Sequence, residues 1–262
     1  MTRALAIVHR NALVYRRVWR GSVFSSFLQP TLFLLAMGLG VGRLVDRGGT
    51  ALPSAASYLQ FLAPGLLAAA CMQTASFESS WPVADKMRWQ RNYEAMLAAP
   101  IRVVDVVAGE LTWIGIRLLT VALAFTLVMT GFGVVGASGR MPFVIGAAVL
   151  TGLAFSAPIL AYAATLKTGS NFNVMFRFVI TPLFLFSGVF FPVSRLPRSL
   201  QTVAPATPLF HGVELVRGLA LDTIESSAWI VHVVYLSAMF SLGFVFALYT
   251  FRRRLHACLT RW

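Results

Sequence analysis

The sequence predicts an all-α polytopic membrane protein with six transmembrane helices, an N-terminal interfacial amphipathic helix and re-entrant extracellular helices before the sixth span. Of its 262 residues, 58% are hydrophobic and 12% are charged, and the mean hydropathy is +0.75. Several apolar runs reach the roughly 20 residues that span a bilayer. The net charge of +13 lies mainly between those runs, which the positive-inside rule explains without a nucleic-acid partner.

Residues 1–20 are predicted to form a helix along the membrane surface. Apolar side chains recur on one face, and an arginine occupies every seventh position on the other. The apolar face carries Leu5, Val8, Ala12, Tyr15 and Trp19, and the basic face carries Arg3, Arg10 and Arg17. The arginines can bind anionic lipid headgroups, and aromatic rings favour the membrane–water interface. A basic flank that only sets topology is the simpler alternative.

The chain is predicted to form a single transmembrane domain over 1–262. Apolar runs indicate the six spans at 22–42, 58–78, 105–135, 142–166, 172–191 and 228–251. A basic loop at 82–102 follows the second span, and a basic tail at 252–262 follows the sixth. Pro30 is expected to kink the first span.

Residues 192–222 fit neither a plain span nor a plain loop. Four of the twelve prolines crowd this stretch, at Pro192, Pro197, Pro205 and Pro208. The stretch is too broken for one helix and stays too apolar for open water. We therefore expect short helices that dip partway into the outer leaflet and are sheltered by protein.

The distribution of basic residues predicts the orientation. They concentrate on the side of the two termini, at Arg3, Arg10, Arg16, Arg17, Arg20, Lys86, Arg88, Arg91, Arg102, Lys167, Arg252, Arg253, Arg254 and Arg261. The opposite side has fewer, and acidic residues offset most of their charge. Both termini are therefore predicted to be cytoplasmic. The strong preference for arginine over lysine favours a GC-rich bacterial genome, hence a bacterial inner membrane.

Three charged residues fall within or beside the spans: Glu78, Glu110 and Arg117. Glu110 and Arg117 are seven residues apart on one face of the third span, so they must face protein or water rather than lipid. We expect them to act as an intramembrane pair that holds this span to a neighbouring helix. Direct contact with a transported molecule is the alternative.

Catalytic and cofactor motifs do not emerge from the sequence. A phosphate-binding loop needs a lysine after glycine, and neither Lys86 nor Lys167 follows one. The four histidines, His9, His211, His232 and His256, lack metal-site spacing, and the two cysteines give no disulfide framework. We expect no enzyme activity and no bound cofactor, so energy for any active transport would come from elsewhere.

Four segments carry a resemblance to a known family. Pro208 to Arg217 (PLFHGVELVR) has a Pro-Leu-x-His pattern with an arginine six residues after the histidine, and Phe186 to Pro192 (FSGVFFP) follows a Ser-Gly-x-x-Phe-Pro pattern. Tyr93 to Pro100 (YEAMLAAP) matches a cytoplasmic coupling helix, and Phe61 to Gly65 (FLAPG) fits the second span. The chain thus resembles, over nearly its whole length, the membrane subunit of type-2 ATP-binding-cassette exporters, which include the daunorubicin-resistance and nodulation-factor exporters.

The resemblance implies a homodimer or heterodimer of membrane subunits seated on separate ATPase subunits, which would bind the ATP and Mg. A short helix would dock on the ATPase and transmit its closure. By this resemblance, the coupling residues are Tyr93, Glu94, Met96 and Leu97, with Arg88, Arg91, Arg10 and Arg17 as further contacts. An ordinary solvated loop is the alternative.

The resemblance also implies an outer gate and a pathway. The gate motif comprises Pro208, His211, Glu214 and Arg217, for which we favour a structural role over cargo recognition. Phenylalanines in spans one and five, which line the dimer pathway in the family, are candidates for it: Phe24, Phe27, Phe33, Phe184 and Phe186.

The predicted function is thus the permease subunit of an ATP-driven exporter for an amphipathic drug, lipid or glycolipid. Two alternatives stay open. One is an ion-coupled secondary transporter that uses Glu78, Asp105 and Glu110 as a proton relay. The other is a membrane scaffold subunit that transports nothing.

Overall fold

The structure, a computed structural model, describes residues 3–47, 55, 57–88, 93, 101–135, 139–166, 170–223 and 227–259. All regular secondary structure in these ranges is helical, and they contain no strand. The all-α prediction is confirmed for this part of the chain.

The amphipathic segment is a helix, α1 (Arg3–Tyr15), which a short turn joins to α2 (Trp19–Leu35). Pro30 lies inside α2. The departure from α-helical geometry begins later, in a π-helical stretch over Ala36–Gly42 that leads into α3 (Arg43–Arg47). Such wide turns are rare and occur often at functional sites.

The structure describes four helices in the middle of the chain. They are α4 (Tyr58–Glu78), α5 (Trp81–Arg88), α6 (Val103–Gly131) and α7 (Met141–Thr165). Ser57 caps α4 by accepting a hydrogen bond from the Gln60 backbone N–H. Asp105 caps α6 by accepting one from the Arg102 backbone N–H at 2.9 Å.

The segment predicted as the fifth span is an interrupted helix. It consists of α8 (Ser170–Met175), a π-helical turn (Phe176–Ile180) and α9 (Thr181–Phe186). It ends at Phe186, five residues before the predicted boundary, because Gly188 adopts a φ of +81°. That left-handed conformation suits glycine and turns the chain away.

The proline-rich stretch forms short helical pieces. In order, they are a 3₁₀ turn at Val193–Arg195, α10 (Arg198–Val203), a second 3₁₀ turn at Ala204–Ala206 and α11 (Pro208–Ala220). The last helix, α12 (Ala228–Leu259), continues through the three arginines that were expected to end it. Arginine is a good helix former, so its charge does not stop a helix.

Within the described ranges, four helical segments are long and apolar enough to cross a membrane: Trp19–Gly42, Val103–Gly131, Met141–Thr165 and Ala228–Leu255. Asn171–Phe186 is apolar but shorter. α4 has the length but a more polar composition, and most of its residues are buried. A helix encased by protein does not need the hydropathy of a lipid-facing one. The count of six spans therefore stays a prediction.

α7 lies at the centre of the bundle and packs against α4, α6, α11 and most extensively α12. Gly243 of α12 allows this contact, since a Cβ there would lie 2.6 Å from the Pro158 ring. A second apolar core joins α1, α5 and Tyr93 to the start of α6 and the end of α12. α2 contacts mainly α6 and leaves much of its apolar surface exposed.

Candidate functional site

A cavity among the described residues lies between α2, α4 and α6, with one side chain from α9, and has a volume of about 510 Å³. We call it the chamber. Its polar lining consists of Ser22, Ser26, Gln29, Gln73, Thr74, Glu78 and Arg117. Its apolar lining consists of Pro30, Phe33, Leu66, Ala70, Phe77, Val121, Phe125 and Phe184. Polar and aromatic side chains thus line the same cavity.

Helical spacing brings the polar residues to the chamber. On α2 they occur at positions 22, 26 and 29, and on α4 at 73, 74 and 78, so each set lies along one helix face. Such residues are rare in spans and mark interior or water-facing surfaces. The sequence analysis missed this pattern, although the spacing of Ser22, Ser26 and Gln29 in the first apolar run was a usable signal.

Arg117 forms a polar cluster at one end of the chamber. Its Nε donates to Glu78 Oε1 at 3.2 Å, its Nη1 to Tyr15 Oη at 2.6 Å, and its Nη2 to Ser22 Oγ at 2.7 Å. The guanidinium carbon also lies 4.4 Å from the centre of the Tyr15 ring. One side chain therefore ties α1, α2 and α4 to α6.

Glu110 forms a second cluster, two helical turns away along α6. Lys86 Nζ donates to both carboxylate oxygens, at 2.9 and 2.7 Å, and Asn11 Nδ2 donates to one of them at 3.2 Å. Glu110 is 1% exposed, so its carboxylate contacts Lys86 rather than water. This cluster ties α1 and α5 to α6.

The prediction that Glu110 and Arg117 pair with each other is therefore wrong. The two residues do lie on one face of α6, but seven residues of helix rise about 10 Å, too far for a direct ion pair. Each instead meets an opposite charge from another helix, Lys86 or Glu78. The expected consequence, that these charges hold the helix to its neighbours, agrees with both clusters.

Tyr93 is fully buried beside the Glu110 cluster. Its ring packs against Phe251 of α12, with centroids 5.8 Å apart. Its hydroxyl lies near the Glu110 carboxylate without the geometry of a hydrogen bond, and burial, followed by that negative charge, raises the pKa of Tyr93 well above its usual value.

The structure describes only some of the other predicted coupling residues. Glu94, Met96, Leu97 and Arg91 lie outside the described residues, and for Arg88 only the backbone, at the end of α5, is described. Arg17 is exposed. Arg10 is partly buried, and its Nη1 has no hydrogen-bond partner among the described residues.

Arg217 lies near the start of α4, whereas Glu78 lies at the end of that helix. Arg217 connects three of the sequence motifs, PLFHGVELVR, FSGVFFP and FLAPG. It is 6% exposed. Its Nε donates to the Phe61 carbonyl at 3.1 Å, its Nη2 to the Gly188 carbonyl at 2.8 Å, and its Nη1 to Glu214 Oε1 at 3.1 Å. A Cβ on Gly65 would lie 3.0 Å from Arg217 Nη2, so glycine there makes room for the guanidinium. Arg217 therefore attaches α11 to α4 and to the turn after α9.

His211 faces α12 rather than Glu214 and Arg217. Its Nδ1 lies 2.8 Å from Nδ1 of His232, and its ring stacks on Tyr235 with centroids 4.0 Å apart. Burial and then the neighbouring His232 lower the pKa of His211, against a smaller opposite effect of the Pro205 backbone. Pro208 begins α11, where a missing N–H costs nothing.

The phenylalanines predicted to line a pathway divide into two groups. Phe33 and Phe184 line the chamber, and each packs against Phe190, at centroid distances of 6.1 and 4.9 Å. Phe24, Phe27 and Phe186 do not line the chamber and are exposed, Phe24 to 66%.

A bundle of apolar helices around a cavity with polar side chains is typical of membrane transport proteins. The comparisons with known proteins specify the class: residues 2–221 match the ABC-2 type transporter family, and the chain belongs to this family of transport permeases, which are not catalytic themselves.

Relatives align along most of the chain. Nodulation protein J of Rhizobium meliloti (strain 1021) is 31% identical over 225 residues, covering 84% of this chain and 81% of that protein. Nodulation protein J of Rhizobium leguminosarum bv. viciae is 30% identical over 257 residues, covering 96% and 94%. The inner membrane transport permease YadH of Escherichia coli (strain K12) is 28% identical over 214 residues, covering 78% and 75%.

Proposed function

We propose that this chain is the membrane subunit of an ATP-driven exporter and forms, with a second membrane subunit, the pathway for an amphipathic drug, lipid or glycolipid. The chamber carries this proposal, because it offers polar and aromatic surface side by side within apolar helices. Membership of the ABC-2 family implies an ABC ATPase partner and a membrane location. ATP and Mg would bind to that partner and not to this chain.

The proposed topology has six spans, with α4 as the second and Ser170–Phe186 as the fifth. Both termini would lie in the cytoplasm of a bacterial cell, with the protein in the inner membrane. α10 and α11 would form the re-entrant segment on the outer side. The Arg217 hydrogen bonds support this, since they attach α11 to the start of α4 and to the turn after α9.

Residues 93–100, with Arg88 and Arg91, are proposed to contact the ATPase. Tyr93 supports this proposal, because its buried ring would pass a displacement of the segment to Phe251 and the Glu110 cluster. Asn11 and Lys86 would extend that displacement to α1 and α5. From there, α6 and α1 lead to Arg117, which lines the chamber.

The resulting mechanism needs no chemistry from this chain. Closure of the two ATPase subunits on ATP would move the coupling segments, and the movement would reach the chamber through the Glu110 and Arg117 clusters. Such clusters can transmit motion only if they have two discrete arrangements. Pro208, His211, Glu214 and Arg217 would hold the outer segment in place rather than bind cargo.

The residues suggested for a proton relay do not favour a secondary transporter. Glu78 pairs with Arg117, Glu110 pairs with Lys86, and Asp105 caps the start of α6. A carboxylate that relays protons must exchange them with a neighbour in a continuous chain. These three carboxylates instead belong to separate contacts.

The experiment that tests the proposal is co-purification with a co-expressed ABC ATPase subunit, followed by ATP hydrolysis in lipid nanodiscs. The variant Glu94→Ala with Leu97→Asp should lose the complex or its cargo-stimulated hydrolysis. The matched control, Arg198→Ala with Ser199→Asp, alters the exposed polar start of α10 and should behave like wild type. A folded wild-type chain that binds no ATPase would overturn the proposal. A stable complex whose rate of ATP hydrolysis does not change with any cargo would favour the scaffold function.

A further inference from the structure

The chamber has polar walls but no net charge. Among the described residues that line it, only Glu78 and Arg117 are charged, and they form an ion pair with each other. The guanidinium already donates to Glu78, Tyr15 and Ser22. The remaining polar lining carries only hydroxyl and amide groups.

Three of these neutral side chains are free to bind a ligand. Gln29, Gln73 and Thr74 make no hydrogen bond to any other described residue. Each amide offers two donors and an acceptor, and the hydroxyl offers one donor and accepts as well. Because polar groups in a membrane interior are costly without partners, their convergence on one cavity indicates that the cavity holds water or a polar ligand.

Part of the lining is aromatic. Phe33, Phe77, Phe125 and Phe184 border the same space. Its volume of about 510 Å³ lies within the range of small-molecule sites. A ligand that complements both the polar and the aromatic lining has a polar part directly next to an apolar part.

We propose that the chamber binds the uncharged polar head of an amphiphile, one that carries hydroxyl or amide groups, and discriminates against cationic and anionic heads. This proposal rests on the proposed transport function and names its substrate class. A charged head would have to enter a low-dielectric space without a free counter-ion, which is costly. An uncharged head instead finds the donors and acceptors of Gln29, Gln73 and Thr74.

The test is protection of a chamber cysteine from N-ethylmaleimide in nanodiscs, without the ATPase. The reporter is Ala70→Cys, which lines the chamber, in a background with Cys71→Ala and Cys258→Ser. Three probes with the same chain are compared below their micellar concentrations: octyl glucoside, octyl phosphate and octyltrimethylammonium. Octyl glucoside should slow labelling by about twofold or more at occupancies above one half, and the charged probes should leave it unchanged.

Two variants and one control sharpen the test. Gln73→Leu should abolish protection by octyl glucoside. Glu78→Gln leaves Arg117 unbalanced, so octyl phosphate should then protect. A control reporter, Ser194→Cys, lies on an exposed outer turn and should respond to no probe.

Protection by a charged probe in the parent protein, protection by none, or absence of labelling at Ala70→Cys would each overturn the proposal. Because no ATPase is present, these outcomes are independent of the coupling experiment. A chain that fails to couple to an ATPase could still discriminate among the probes, and the reverse also holds.

Discussion

Arg217 of α11 donates a hydrogen bond from its Nε to the backbone carbonyl of Phe61 in α4, 156 positions earlier, and its guanidinium carbon lies 3.9 Å from the centre of the Phe61 ring. The same side chain also reaches the Gly188 carbonyl. The PLFHGVELVR motif thus attaches α11 to α4 and to the turn after α9.

Replacing Arg217 with lysine should destabilise the protein by about 2 kcal/mol or more. Lysine lacks the forked guanidinium, so it cannot donate hydrogen bonds to two buried carbonyls and to Glu214 at the same time. Thermal unfolding in detergent measures the effect. The control, Arg195→Lys, changes an exposed residue of the 3₁₀ turn and should have little effect. Equal stability of the two variants would contradict the structural role of Arg217.

The Arg117–Glu78 pair should show strong coupling in a double-mutant cycle. Arg117→Gln and Glu78→Gln each leave one charge with little exposure and no ionic partner, so each should cost about 2–3 kcal/mol. The double variant should cost at least about 1 kcal/mol less than the sum of the two. Additive free energies of unfolding would show that the ion pair does not form.

Glu110→Gln should loosen the attachment of α1. The change leaves Lys86 without its carboxylate and weakens the acceptor of Asn11, so amide hydrogen exchange in residues 3–15 should accelerate. Asp222→Asn is the control, since Asp222 pairs with Arg140 at an exposed site, where ion pairs contribute little. Unchanged exchange in α1 would contradict the proposed path from Glu110 to that helix.

Acid should destabilise the contact between His211 and His232. The pKa of His211 is lowered in the folded protein, so the unfolded chain takes up the proton first as the pH falls below about 6.5. Stability should be full above that pH and decline towards pH 5.5. His211→Gln should weaken this decline in thermal unfolding scans, and identical pH profiles would exclude His211 as its source.

The sequence predicted the helical class and the main helices well, because hydropathy and motif spacing are local properties. It misplaced the end of the fifth helix, since hydropathy continues past Phe186 while the backbone turns at Gly188. It also ended the last helix too early, because Arg252 and its neighbours signal a membrane boundary but not a helix end.

The partners of the buried charges could not be predicted in this way. Arg117 meets Glu78 and Tyr15 across 39 and 102 positions of chain, and Glu110 meets Lys86 across 24. Such pairs depend on helix packing, which a helical period does not encode. The seven-residue spacing showed only that Glu110 and Arg117 lie on the same face of α6.

The central proposal, that the chamber belongs to an ATP-driven pathway, is tested most directly by the labelling of Ala70→Cys in the complex with its ATPase. Rates are compared without nucleotide, with ATP, and with ATP and vanadate, in nanodiscs whose hydrolysis is measured in parallel. We predict a severalfold change in labelling rate between the nucleotide-free and vanadate-trapped states, and an unchanged rate at Ser194→Cys. The same rate at Ala70→Cys in all three states, in a complex that hydrolyses ATP, would contradict it.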